Sequence, residues 1–163
     1  QNQSSAASDV YKRQLFVCPV LVFGQESLSL NDILTIDSKD AFLKVVIENG
    51  YSQGNSSEEK IYYGKELSKD KAKATDWAEY TISNGEFYFE QSNLSFVEKN
   101  GNCYYNLIVA DIKKNCEFAS IAKHSGKSGD VDFATYNCPS AKFKGSIGFA
   151  QIHGNGVVQE FPE

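Results

Sequence analysis

Few side chains in this 163-residue sequence could act as nucleophiles, bases or metal ligands. The histidines and cysteines are His124, His153, Cys18, Cys103, Cys116 and Cys138. A metal site needs such ligands at close spacing, and neither a C-x-x-C nor an H-x-x-x-H pair occurs. No G-x-S-x-G elbow or other nucleophile signature occurs either. The sequence therefore predicts no catalytic residue, metal or cofactor, and a small hydrolase or transferase using His124 or His153 is an alternative.

Two further motifs are better explained as turns and helix starts. Gly126-Lys127-Ser128 resembles the end of a phosphate loop, but Ile121 stands where that motif needs its first Gly. Asp130-Val131-Asp132 and the acidic segment 37–40 could contact calcium, yet no twelve-residue loop with a closing Glu accompanies them. Acidic residues at a helix start are expected from the helix dipole alone.

Three cysteines in an exported domain indicate one disulfide bond. If 103–115 is a helix, Cys103 and Cys116 are about 20 Å apart at 1.5 Å per residue, which exceeds the reach of a disulfide. Cys138 must then be one partner in any intrachain bond, and we predict Cys116–Cys138, which ties the end of a helix to a strand. Cys103 is left as a buried thiol or as an intermolecular contact.

Aromatic residues on the predicted strands give the best candidate binding site. By strict alternation one face, covered by helices, takes these residues: Ile61, Tyr63, Ala78, Tyr80, Ile82, Phe87 and Phe89. The opposite face receives Tyr62, Trp77 and Tyr88, surrounded by the carboxylates Glu79, Glu86 and Glu90. Trp and Tyr are typical anchors in protein or glycan recognition. The alternatives are that loops or the other half of the domain cover these rings, or that they stabilise cross-strand pairs.

Two main helices are predicted to position this sheet. A short helix is expected within 29–36, and a longer one capped by Asp37 or Ser38 ends at Asn49-Gly50. Asn102 is expected to cap the second main helix, which ends near Asn115. Its apolar stripe is predicted as Tyr104, Leu107 or Ile108, and Ile112.

Eight strands are predicted around these helices. Asn84-Gly85 indicates a two-residue type I′ hairpin turn between 77–83 and 86–91. The remaining predicted strands are 60–63, 94–98, 118–123, 131–137, 143–152 and 157–161. The segments 52–59 and 68–76 are predicted as polar loops. The sequence predicts an α+β domain, a largely antiparallel sheet with two main helices on one face.

The predicted order, a helix followed by four strands in each half, resembles a known family in outline. It is similar to the tandem layout of the β-lactamase-inhibitor-protein family, which implies two similar halves, about 25–99 and 100–163, in a single domain. That family's Gly-Met-Thr segment is absent, so the resemblance is one of topology and transfers no residue role. The chain also resembles, in general style, small exported bacterial proteins.

The N-terminal segment is expected to lie outside the folded domain. Residues 4–14, Ser-Ser-Ala-Ala-Ser-Asp-Val-Tyr-Lys-Arg-Gln, resemble a translated transposase sequencing adaptor at every position, so 1–14 is interpreted as an artefact. The apolar run 15–24 is typical of the end of a secretory signal peptide, with a buried strand as the alternative. We reject a lipid anchor at Cys18 because the bulky Val17 precedes it. The mature domain is then 25–163, in the periplasm or outside the cell.

The net charge of the domain limits the classes of partner that it can bind. Residues 1–24 contain Lys12, Arg13 and Asp9, so the remainder keeps 14 basic and 20 acidic side chains, a net charge of −6. Arg13 is the only arginine in the chain. An acidic domain without the usual ligand for phosphate is a poor candidate for nucleic acid or anionic lipid. The sequence favours a non-catalytic module that binds another exported protein or a glycan, of the inhibitor or immunity type. The alternative outside enzymes is a structural envelope component.

Overall fold

The computed structural model describes residues 27–71, 73–92, 103–126 and 129–161. Within these ranges it is an α+β structure in which an antiparallel sheet of eight strands is the larger part. The helices are α1 Leu30–Ile33, α2 Lys39–Glu48 and α3 Tyr104–Asn115. The strands are β1 Ser52–Gln53, β2 Lys60–Gly64, β3 Asp76–Thr81, β4 Glu86–Gln91, β5 Glu117–Gly126, β6 Gly129–Asn137, β7 Ser146–Ile152 and β8 Asn155–Phe161. No described helix is long and apolar enough to cross a membrane.

The strand order is β1-β2-β3-β4-β8-β7-β6-β5, and all neighbours are antiparallel. The first four strands therefore meet the last four at one seam, where Phe89 of β4 pairs with Val158 of β8. The predicted strand 94–98 lies outside the described residues. The short β1 lies in a segment that was predicted as a loop, and β7 begins at Ser146, later than expected.

Helix α1 lies within the segment predicted as a short helix, and α2 starts and ends at its predicted signals. Ser29 and Asp32 form a reciprocal capping box at α1. Ser38 caps α2 by accepting a hydrogen bond from the backbone N–H of Ala41. Asn49 follows as the C-cap residue, and Gly50 has a φ of 73°, the left-handed conformation in which glycine ends many helices.

Helix α3 has the predicted length, and its predicted stripe is confirmed at two of three positions. Ile108 and Ile112 face the core, whereas Leu107, the alternative to Ile108, is 63% exposed. The first position is wrong, because Tyr105 is buried and Tyr104 is only half-buried. Two hydrogen bonds hold Tyr105: its backbone N–H donates to the side-chain oxygen of Gln91, and its hydroxyl donates to the carbonyl of Ala150.

The helices cover one face of the sheet, and the predicted alternation is confirmed there for every residue except one. Ile61, Tyr63, Ala78, Tyr80, Phe87 and Phe89 are all buried. Phe42 of α2 stacks on Tyr80 at a centroid distance of 5.4 Å and contacts the ring of Phe87. The exception is Ile82, which is 41% exposed because β3 ends one residue before it.

The β3–β4 turn differs from the predicted one. Thr81 pairs with Glu86, which leaves a four-residue connection in place of the two-residue turn expected at Asn84-Gly85. Gly85 has a φ of 71° and donates its N–H to the carbonyl of Thr81, whereas a type I′ turn would also need a positive φ at Asn84. A two-residue turn with positive φ at both positions occurs instead at His153-Gly154, between β7 and β8.

Two cysteine sulfur atoms are at disulfide-bond distance. Cys116 is the C-cap residue of α3 and Cys138 follows β6 directly, and their Sγ atoms are 2.05 Å apart. Cys103 is half-buried at the other end of α3, and it is not part of this disulfide. The helix between Cys103 and Cys116 has the length on which the predicted pairing was based.

Candidate functional site

The predicted aromatic residues lie on the face of the sheet that the helices leave uncovered. The strand register places Tyr62 beside Glu79 and Glu79 beside Tyr88, in one row across β2, β3 and β4. Trp77 and Glu90 form the neighbouring pair. These five side chains line a groove of about 280 Å³, together with Asn55 and Lys71. Glu86, the sixth predicted residue, does not line this groove.

Trp77 is half-buried because its ring packs over two glycines. A Cβ atom at Gly54 would lie 2.9 Å from Cζ3 of the indole, and one at Gly64 would lie 3.1 Å from the same atom. Leu67 and Ala74 of the loop that follows β2 also reach Gly64 closely. One side of the indole is therefore held by backbone, and the ring contributes to the wall of the groove.

Hydrogen bonds orient the carboxylates of this face. The Tyr88 hydroxyl donates to Oε2 of Glu90 at 3.0 Å, and Nδ2 of Asn155 donates to Oε1 of Glu90 at 2.6 Å. Lys60 donates to Glu79 in a charge-assisted pair. Burial raises the pKa of Tyr88 far above its usual value, and the neighbouring Glu90 charge adds to this. Burial, and then the charge of Glu79, raise the pKa of Tyr62 as well. Both phenols are therefore neutral hydrogen-bond donors at physiological pH.

A larger cavity of about 500 Å³ adjoins the groove on the same face. It shares Glu79, Tyr88 and Glu90 with the groove and is also lined by Glu86. Its walls include Lys60 near one end of the sheet order and His124 on the strand at the other end. The sheet is therefore curled enough to make this face concave, as the natural twist of strands favours.

Sequence reasoning missed this cavity. It considered the two histidines separately, whereas both His124 and His153 line the cavity wall. Its apolar floor includes Phe133 and Val157, each 1% exposed, which pack with Ala150 in a small second core on the uncovered face. The available signal was the alternation of apolar residues in the last strands, but only the sheet order shows that they lie beside β4.

The side chains of this face are mainly aromatic rings and carboxylates. Within the described residues, no group of three His, Cys, Asp or Glu side chains is arranged to hold a metal ion. None of the three cysteines in the described ranges lines the cavity or the groove, and Cys103 packs against the core under the helices. What the face offers is aromatic rings, fixed carboxylates and neutral donors.

Two buried carboxyl groups lie away from this face and were also missed. Asp76 accepts a hydrogen bond from the Ser27 hydroxyl at 3.2 Å, and burial raises its pKa to about 6. Glu160 accepts from the backbone N–H of Phe87 at 3.1 Å, and burial raises its pKa to about 8. One oxygen of each group, Oδ1 of Asp76 and Oε1 of Glu160, has no hydrogen-bond partner among the described residues. Neither group lines the groove or the cavity.

The chain was compared with protein-family models, with curated proteins and with solved structures, and no match was found. The function therefore has to be argued from the concave face itself.

Proposed function

We propose that this chain is a non-catalytic binding module that captures another exported protein, as an inhibitor or immunity-type protein does, through the groove lined by Tyr62, Trp77 and Tyr88. One observation carries the proposal: three aromatic side chains stand together on a face that no described helix covers. Aromatic residues in a concave, partly desolvated setting are the usual anchors of protein interfaces.

The surroundings of the rings support a preformed site. Tyr88 and Asn155 hold Glu90, Lys60 holds Glu79, and two glycines support the indole of Trp77. A surface that is already ordered loses little conformational entropy on binding, which favours affinity. A glycan would use the same rings and carboxylates and is the second ligand class for this groove.

A capture experiment with matched tyrosine variants tests this proposal. Tyr62→Ala should weaken capture of the partner from an envelope fraction by at least tenfold, whereas Tyr136→Ala should leave capture unchanged. Both tyrosines are half-buried strand residues, but Tyr136 lies on the helix side of the sheet, where it stacks on Phe149. Trp77→Ala should cost about 2 kcal/mol of binding free energy or more, as anchors do. Equal losses for Tyr62→Ala and Tyr136→Ala would contradict a binding groove.

We propose further that the two halves are tandem repeats similar in layout to the β-lactamase-inhibitor-protein family. The order of the described elements supports this: α2 precedes β1 to β4, and α3 precedes β5 to β8. The sheet order is also symmetric about the seam between β4 and β8. The interpretation rests on topology alone.

We also propose that the domain is exported and that residues 15–24 are the end of its signal peptide. The bonding distance between Cys116 and Cys138 is compatible with an oxidising compartment. Residues 1–26 lie outside the described structure, so the signal itself is argued from sequence. Removal of residues 1–24 should leave the thermal unfolding transition unchanged. Loss of a cooperative transition would mean that 15–24 belongs to the core.

A further inference from the structure

The cavity beside the groove combines an apolar floor with a charged wall. Phe133 and Val157 are almost fully buried although they face away from the helices. Val131 and Ile152 continue this floor. Its volume of about 500 Å³ lies within the range of roughly 300–1,000 Å³ that is typical of small-molecule sites. Such a floor favours a ligand with an apolar body.

The wall carries more negative than positive charge. Three carboxylates, Glu79, Glu86 and Glu90, line the cavity with a single lysine, Lys60. Lys60 is already paired with Glu79. Glu90 is held by neutral donors, the Tyr88 hydroxyl and the Asn155 amide, which orient its carboxylate without neutralising it. Glu86 takes part in neither arrangement. Among the described residues that line the cavity, no lysine is paired with Glu86 or Glu90.

We propose that this cavity binds a small organic cation, an ammonium group carried on a compact apolar body. The body would contact the floor at Phe133 and Val157, and the ammonium would lie beside Glu86. The rings of Tyr88 and Phe133 add a face toward which a cation is attracted. The inference does not depend on the proposed protein-binding function, because Tyr62 and Trp77 line the groove and not the cavity.

Charge selects the cation over other ligands of the same shape. The carboxylates of the wall would repel an anion, and in a partly desolvated setting like charges repel more than in bulk water. A neutral molecule would gain the apolar floor but none of the charge attraction. A small ion without an apolar body would gain only the attraction, which water and salt screen.

Three probes that separate these contributions test the proposal on the full chain. The probes are 2-phenylethylammonium, the neutral 2-phenylethanol, and methylammonium, each titrated into ¹⁵N-labelled protein and followed by amide chemical shifts. We expect 2-phenylethylammonium to shift the amides of Phe133, His153 and Val157 saturably in the millimolar range. The other two probes should bind at least fivefold more weakly. Equal shifts from 2-phenylethanol or from methylammonium would overturn the proposal, as would shifts confined to the Trp77 indole N–H.

A pair of neutralising variants locates the charge. Glu86→Gln should weaken 2-phenylethylammonium binding about two- to fivefold, the range for one partly exposed ion pair. Glu117→Gln removes the same charge from an exposed position on β5 outside the cavity and should leave binding unchanged. Equal effects of the two variants would mean that the overall negative charge of the protein, and not the cavity, attracts the amine. Protein–partner capture is measured separately, so failure of the amine site leaves the groove proposal intact.

Discussion

Glu160→Gln should increase the free energy of unfolding at pH 8 and remove most of its pH dependence between pH 6 and 8. The Glu160 side chain is 4% exposed, and only its Oε2 accepts a hydrogen bond, from the Phe87 backbone N–H. Burial raises its pKa from 4.5 to about 8, and the nearby Glu86 charge acts in the same direction. The folded state therefore binds this proton more tightly than the unfolded state does.

The sign and size of the effect follow from that difference. Because the folded pKa is raised, the wild-type free energy of unfolding is highest below about pH 4.5 for this group and falls until pH passes about 8. One pKa unit corresponds to about 1.4 kcal/mol, so the loss between pH 6 and 8 is on the order of 3 kcal/mol. The pKa of Asp76 is raised to about 6, so this group changes the free energy of unfolding with pH mainly below pH 6.

Urea unfolding at pH 6, 7 and 8, monitored by the fluorescence of Trp77, measures this difference with the disulfide intact. Glu117→Gln, which neutralises an exposed carboxylate, is the control and should keep the wild-type slope. A Glu160→Gln protein with the same slope as wild type would refute a buried, protonated Glu160.

Three further substitutions test the packing and the cross-link. Gly64→Ala should displace the Trp77 ring, shift its fluorescence to longer wavelength and lower the free energy of unfolding by about 1–3 kcal/mol, since the new Cβ would lie 3.1 Å from the indole and 2.8 Å from both Leu67 and Ala74. Gly156→Ala should be more damaging, because its Cβ would lie 2.3 Å from the Tyr105 ring, and a fall in melting temperature of less than a few degrees would contradict that contact. Cys138→Ser should cost roughly 3 kcal/mol in the chain-entropy model for a cross-link spanning 22 residues, measured by urea unfolding under oxidising conditions.

The uncovered face was predictable even though the turn beside it was not. A two-residue turn at Asn84-Gly85 would pair Ser83 with Glu86, whereas Thr81 is the observed partner. The register therefore moved by two residues along β3, and a shift of two keeps every side chain on its predicted face. Trp77 stays on the uncovered side for this reason. A shift of one residue would have buried it.

The alternation of apolar residues along strands and the capping residues of helices depend on neighbouring residues only, so they could be predicted from the sequence. Features that depend on distant segments were not predictable in the same way. Periodicity gave Ile108 and Ile112 of α3, but the burial of Tyr105 in place of Tyr104 goes with hydrogen bonds to Gln91 and Ala150, which no periodicity reveals. The cavity exists because the sheet curls until Lys60 and His124 line the same space. From the sequence alone, Asp76 and Glu160 would be expected at the surface, and their burial depends on how distant segments pack around them.

The position of β8 constrains how this chain can be made. Asn155–Phe161 is the last strand in chain order, yet it lies in the middle of the sheet between β4 and β7. Until it is available, β4 and β7 each present an unpaired edge of the kind that promotes aggregation. The turn at His153-Gly154 forms the β7–β8 hairpin between neighbouring segments of the chain. The pairing of β8 with β4 joins segments that are far apart in the sequence, so it forms more slowly. A chain that is still being synthesised therefore cannot complete this sheet until β8 is available.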